Sequence, residues 1–165
     1  MAPARFVTDT SLDLLARRLR ILGFDVVTLP DTRLEQLFER ARSDQRIVLT
    51  LSARHPRRYA GVPAITVARD PLLAVRAIAE EFEPAGGPFS RCALCNHPLE
   101  PRRPGDAGGA VPGHVLELAK ALHHCPGCGK WYWPGSHVDR LRVWLERSLG
   151  RPVPGPEIGV GGDAD

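Results

Sequence analysis

Two cysteine knuckles constrain this chain more than any other feature. They are Cys92-Ala93-Leu94-Cys95 and Cys125-Pro126-Gly127-Cys128, separated by 29 residues. Two residues between cysteines let both sulfurs reach one ion from a tight turn, and two such turns supply the four thiolates of closed, tetrahedral structural zinc. A closed site has no open position for water, so this zinc is not catalytic. Gly129 frees the backbone after the second knuckle, so that its amides can face the thiolates. The gap exceeds the common ~15–20 residues, and the insert 102–112 is expected to bulge out as a loop. A thioredoxin-like redox pair needs its C-x-x-C directly after a strand of a βαβ unit, and neither pair sits there. His97, His114, His123, His124 and His137 are available as substitute ligands but are not needed.

The chain before the knuckles has a different rhythm. Arg5-Phe6-Val7-Thr8 reads as a strand ending at Asp9, and Leu12, Leu15, Ala16, Leu19 and Leu22 then recur at helical spacing. Ser11 is a candidate cap for that helix, and Gly23 its end. Residues 25–29 form a second strand. Asp31 or Thr32 caps a second helix with Leu34, Leu37, Phe38 and Ala41 on one face. Arg46-Ile47-Val48-Leu49-Thr50 has the continuous apolar character of a strand buried on both faces. Residues 64–67 form a fourth strand, and Asp70-Pro71 opens a helix with cap and N1 proline in place. Alternating strands and helices call for a small parallel sheet flanked by helices, an α/β fold.

Pro84-Ala85-Gly86-Gly87-Pro88 reads as a hinge. The expected organisation is an α/β domain over 1–83, a zinc ribbon with a C-terminal helix over 84–150, and a disordered tail over 151–165. The last helix is predicted from about Val138 to Leu149. With 43% hydrophobic and 25% charged residues the composition is globular, and the net charge of +3 permits nucleic acid without requiring it. No apolar run has the ~18 residues of a membrane span. The opening residues lack a signal core, so a cytoplasmic location with reduced thiols is expected.

In a parallel α/β sheet the working edge lies at the carboxyl ends of the strands. Asp9 ends the first strand, Glu35 lies in the first turn of the second helix, Ser52 follows the third strand and Asp70 the fourth. Carboxylates from three segments can converge on Mg²⁺ or Mn²⁺, and such an ion can activate water against a phosphodiester. Asp13, one turn beyond Asp9, is a further acid for that cluster. Each also has a structural reading: Asp70 as a helix cap, Glu35 as a complement to the helix dipole. Arginine makes up 20 of the 22 basic residues. Arg17, Arg18 and Arg20 on the first helix, and Arg54, His55, Arg57 and Arg58 after the third strand, are candidates for RNA phosphates or for ordinary solvated faces. Trp131, Tyr132 and Trp133 can stack on bases or fill the ribbon core.

The run Asp9-Thr-Ser-Leu-Asp-Leu-Leu-Ala-Arg-Arg-Leu-Arg-Ile-Leu-Gly-Phe-Asp25 resembles the opening of the Mut-seven C-terminal ribonuclease family, a PIN-like family. Arg46-Ile-Val-Leu-Thr50, Phe89-Ser-Arg-Cys-Ala-Leu-Cys-Asn96 and Cys125-Pro-Gly-Cys-Gly-Lys-Trp-Tyr-Trp-Pro-Gly-Ser-His137 extend the likeness over about residues 5–147. The resemblance implies a PIN-like ribonuclease core followed by a zinc ribbon. It makes Asp9 the first-strand ligand for Mg²⁺ or Mn²⁺, with Glu35 near the helix acid. The family's third strand usually continues Leu-Thr-Arg-Asp, with that aspartate a metal ligand; here Leu49-Thr50 continues as Leu51-Ser52. The expectation is therefore a metal-dependent endoribonuclease on Asp9, Glu35 and Asp70, helped by Asp13, with activity reduced at Ser52. The alternative is a non-catalytic module that binds RNA or a ribonucleoprotein on the same scaffold.

Overall fold

The computed structural model describes residues 2–156. β1 (Arg5–Asp9), β2 (Asp25–Leu29), β3 (Ile47–Thr50) and β4 (Ala64–Thr66) form one sheet in the order β2-β1-β3-β4, and every pairing is parallel. The connections carry α1 (Asp13–Ile21), α2 (Leu34–Asp44) and, after β4, α3 (Pro71–Glu81). The strand expectations hold within a residue or two. The caps differ. Asp9, not Ser11, starts the turn before α1, accepting from the Ser11 N–H at 2.8 Å. Arg33, not Asp31 or Thr32, starts α2, because the Gln36 side chain reaches back to the Arg33 N–H.

Two apolar layers cover the sheet. On one side Phe6, Leu15, Leu19, Phe24, Leu49, Val75 and Ile78 pack between α1 and α3. On the other, Val7, Val48, Leu37, Phe38 and Tyr59 pack under α2. The alternation of Phe6 and Val7 across β1 explains both layers, since successive strand side chains face opposite ways.

The cysteine-bearing segment builds a second sheet. β5 (Glu100–Arg102), β6 (Leu122–His124) and β7 (Trp131–Tyr132) pair antiparallel in that order. The insert is not a bare loop: Ala107 and Val111 are buried with Leu122 in a small core of their own, and a short helix α4 (Gly113–Leu118) follows. α5 (Ser136–Leu149) then returns to the first domain, where Leu145 joins the core of α1 and α3. Arg76 of α3 donates to the Ser148 carbonyl at 2.6 Å, satisfying an end that helices leave open.

The expected hinge is a strap. Gly86 N–H bonds the Gly23 carbonyl at 3.2 Å, Phe89 N–H bonds that of Ile21 at 2.6 Å, and Phe89 packs on the main core. Gly23 has φ of 95°, and a Cβ there would strike the Gly86 carbonyl, so both conformation and space call for glycine. The reading of disorder from Arg151 also needs correction. Val153 is 4% exposed, and its N–H donates to Glu146 Oε1, because its side chain completes the core beside α5. The rest of the expected tail, 157–165, lies outside the described residues.

Among the described residues β2 is an edge strand, and side chains rather than a further strand close its outer edge. The Val26 N–H donates to Asn96 Oδ1 at 3.0 Å, and the Val26 carbonyl accepts from Arg20 Nε at 2.8 Å. Asn96 also donates to Asp25, which Arg46 grips with both terminal nitrogens at 2.7 and 3.4 Å. Burial pushes the Asp25 carboxyl up, but the bonds from Arg46 and Asn96 outweigh it and leave it below the usual carboxylate range. A carboxyl lowered in the folded state stabilises above its unfolded pKa, about 3.9, and that contribution is lost as pH falls through the folded value. Urea midpoints should therefore favour the wild type over Asp25→Asn above about pH 4, with the gap closing at lower pH. A gap that widens on acidification contradicts this.

Candidate functional site

The two knuckles share one backbone design. In the first, Cys92 N–H bonds the His97 carbonyl at 2.8 Å and Asn96 N–H bonds the Cys92 carbonyl at 3.0 Å. In the second, Cys125 N–H bonds Lys130 at 2.9 Å and Gly129 N–H bonds Cys125 at 2.9 Å. Each turn closes through a left-handed residue at the same place, Asn96 at φ 71° and Gly129 at φ 76°. Glycine and asparagine are the residues that enter that region at least cost. Gly127 has a second reason, since a Cβ there would strike the His97 ring.

The four sulfurs lie within 4.8 Å of one another, with Cys92–Cys128 at 3.7 Å and Cys95–Cys125 at 3.2 Å. Sulfurs about 2.3 Å from a tetrahedral zinc stand about 3.8 Å apart. The donor set and its size therefore fit structural zinc. Burial raises the Cys92 thiol, but the Tyr132 hydroxyl at 3.0 Å and the backbone N–H groups of Cys95 and Leu94 outweigh it and bring it down to about 7. Cys95 is pushed up to about 12, by burial first and then by its sulfur neighbours. Four thiolates this close need a cation among them.

Arg20, a candidate RNA contact by sequence, is a structural residue. It is 2% exposed. Besides Val26 its guanidinium bonds the carbonyls of Ala93 and Leu94, at 2.9 and 3.2 Å, and Thr28 Oγ1 at 2.7 Å. Ala93 and Leu94 are the two residues inside the first knuckle, so the metal turn is tied to the parallel sheet. The signal was present in the sequence: Arg20 follows Leu12 and Ala16 at four-residue steps, on the buried stripe of α1. Asn96 does the same work from the other side and was missed as a functional position.

The carboxyl edge of the parallel sheet carries the acids. The order β2-β1-β3-β4 reverses between β1 and β3, and such a switch point opens a crevice at the strand ends. Asp9 stands at the end of β1, and Ser52 lies two residues past β3. Asp9 Oδ1 accepts from the N–H and hydroxyl of Ser11. Asp13 pairs with Arg17 at 2.8 Å. Exposed Glu35 faces Arg54 at 3.8 Å. Asp70 caps α3 through the Leu72 N–H at 2.9 Å. Ser52 Oγ accepts from the Arg54 N–H at 3.1 Å. Among the described residues, the four cysteines are the one group of three or more His, Cys, Asp or Glu side chains close enough to share an ion. Among the described residues, no three of these acids stand close enough together to share one ion.

Beside this edge Glu35, Arg54, His55, Arg57, Arg58 and Tyr59 line an open pocket of about 350 Å³. Arg17 lies elsewhere, on a groove between α1 and the ribbon.

A parallel α/β sheet wrapped by helices, joined to a small antiparallel sheet with a four-cysteine cluster that can form a zinc ribbon, defines the class of this protein. The Mut7-C RNAse domain family matches residues 4–145, and the chain belongs to that family. No curated protein and no solved structure matches it. Membership ties the chain to ribonuclease and RNA-related function. Among the described residues no helix is long and apolar enough to cross a membrane.

Proposed function

We propose that this chain binds single-stranded RNA, bare or within a ribonucleoprotein, and leaves it uncut under Mg²⁺. The observation that carries the reading is the pair of strand ends at the β1–β3 switch point: Asp9 ends β1 bonded to Ser11, a serine rather than an acid lies two residues past β3 at Ser52, and Asp13 and Asp70 are engaged locally. Neutral hydroxyls hold Mg²⁺ poorly compared with carboxylates. Basic residues remain at the edge. Arg57 and Arg58 have no carboxylate within ion-pair distance among the described residues, and both are exposed. Guanidinium groups of this kind suit phosphate oxygens. Four free thiols held for zinc suit a reducing cytoplasm.

Replacing Arg57 and Arg58 by alanine is expected to weaken binding of a single-stranded RNA oligomer. It should also flatten the slope of log K against log salt by about 1.4, since each phosphate contact on a single strand contributes about 0.7. An unchanged slope removes these two residues from the interface.

The second reading is a metal-dependent endoribonuclease on Asp9, Glu35 and Asp70 with Asp13. It is favoured by the shared carboxyl edge on which all four acids stand. RNA cleavage by the wild type and by Asp9→Asn under Mg²⁺ and Mn²⁺ separates the two. Binding without cleavage supports the first; robust Mg²⁺-dependent cleavage abolished by Asp9→Asn supports the second.

A further inference from the structure

A groove of about 550 Å³ runs between α1, the second knuckle and the start of α5. That volume lies within the ~300–1,000 Å³ of ligand clefts. Its floor is aromatic: Trp131, Tyr132 and Trp133 from β7 and the residue after it, with Phe89 from the strap. Each of these four is partly rather than fully buried, so ring surface remains on the groove side. Phe89 sits at φ 62°, a conformation rare for an aromatic residue. Its walls carry Arg17, Arg18, Arg91 and Lys130, with His123 and His137, and no Asp or Glu lines it.

Most of these cations stand outside any ion pair among the described residues. Of the four cations, Arg17 alone has a carboxylate within ion-pair distance among the described residues, namely Asp13. Arg18 stacks over Trp144 at 4.8 Å, and its Nε is buried with no hydrogen-bond partner. Lys130 lies over Tyr132 at 5.5 Å. A concave surface of aromatic faces, edged by four cations of which one is ion-paired, and lined by no acid, matches a flexible polyanion that carries its own flat rings. An acidic peptide satisfies the charge but leaves the rings without stacking partners, and an apolar peptide leaves the cations unmatched.

We propose that this groove is a binding track for single-stranded RNA, with bases stacked on Trp133 and its neighbours and phosphates along Arg17, Arg91 and Lys130. The proposal rests on the RNA-binding reading above and adds a surface to it. The α1 wall begins at Leu14, the residue after Asp13, so one end of the groove lies by the start of α1, which follows β1 at the carboxyl edge of the sheet. The edge then contacts phosphates alone, and the groove contacts both bases and phosphates.

The test measures binding of a fluorescent single-stranded RNA 12-mer to the zinc-loaded full chain. Trp133→Ala is expected to lower affinity about tenfold, as loss of one stacked base does, while Trp133→Phe keeps most of it. Lys130→Ala is expected to reduce the salt slope by about 0.7. An abasic oligomer of the same charge is expected to bind at least tenfold more weakly than the RNA. Circular dichroism and zinc content check that each variant folds; should Trp133→Ala fail, the abasic oligomer and Lys130→Ala decide alone. RNA binding unaltered by Trp133→Ala and Lys130→Ala overturns the groove and leaves RNA binding at the edge standing. Equal affinity for the abasic oligomer, or displacement of the RNA by an acidic peptide at comparable concentration, overturns the groove as a base-reading track. Absence of RNA binding by the wild type overturns both readings.

Discussion

Serine in place of any one of Cys92, Cys95, Cys125 or Cys128 is expected to reduce zinc from one ion per chain to near none and to unfold residues 89–135. Structural zinc in such sites contributes about 10–16 kcal/mol at neutral pH, comparable to the ~5–15 kcal/mol that holds a whole domain folded. The ribbon has little else to rest on. Its own core is Ala107, Val111 and Leu122 with a few partly buried neighbours. The effect should also reach the parallel sheet, because Arg20 and Asn96 take hydrogen bonds from the first knuckle to Val26 and Asp25. Hydrogen exchange and metal analysis on the serine variants, and on the wild type treated with a chelator, measure both consequences. Full loss of zinc with unchanged protection in the ribbon contradicts the assignment.

Arg20→Ala is expected to destabilise the protein by about 3 kcal/mol, since a hydrogen bond to a charged group contributes about 1.5–3 kcal/mol and this buried guanidinium donates several. The variant leaves the carbonyls of Val26, Ala93 and Leu94 without their donor, and an unsatisfied buried group costs about 1–3 kcal/mol. Arg20→Lys should recover little, since a single ammonium cannot span a strand carbonyl, a hydroxyl and the knuckle at once. Zinc affinity should fall in both variants while the cysteines stay intact. Denaturant unfolding alongside competition for zinc by a chromophoric chelator reads the two effects. Stability within about 0.5 kcal/mol of wild type, the range of ordinary surface substitutions, shows that the guanidinium does not join the halves.

These two positions mark where sequence reading succeeds and where it stops. A knuckle is a local object: two cysteines, two residues between them and a residue that tolerates positive φ lie within a handful of positions, so spacing alone reveals it. The strands are equally local, because Val48 and Leu49 announce their burial by composition. Arg20 is different. Its partners Ala93 and Leu94 lie more than seventy positions away, and an arginine on a helix in an arginine-rich chain looks like one more surface cation. Asn96 follows a cysteine in a motif, yet the motif does not say that its amide closes a sheet edge. Val153 sits in a stretch of glycine and proline that reads as disordered, and its contact with the core is made by folding back beside α5. The acids are legible in part. Strand order puts Asp9, Glu35 and Asp70 on the carboxyl edge, while their local partners, the Ser11 N–H, Arg54 and the Leu72 N–H, depend on side-chain placement that spacing does not specify.

We infer that the β1–β3 crevice is one carboxylate short, at Ser52. Each anionic oxygen removed from a divalent site can weaken it by roughly two decades, about 2.8 kcal/mol at 1.4 kcal/mol per decade. Calorimetric titration of Mn²⁺ into the zinc-loaded full chain tests this most directly, using wild type, Ser52→Asp and the double variant Asp9→Asn with Ser52→Asp. The expected result is a wild-type affinity about a hundredfold weaker than that of Ser52→Asp, one stoichiometric site in Ser52→Asp, and loss of that site in the double variant. A stoichiometric Mn²⁺ site in the wild type, with an affinity that Ser52→Asp leaves unchanged, would contradict this.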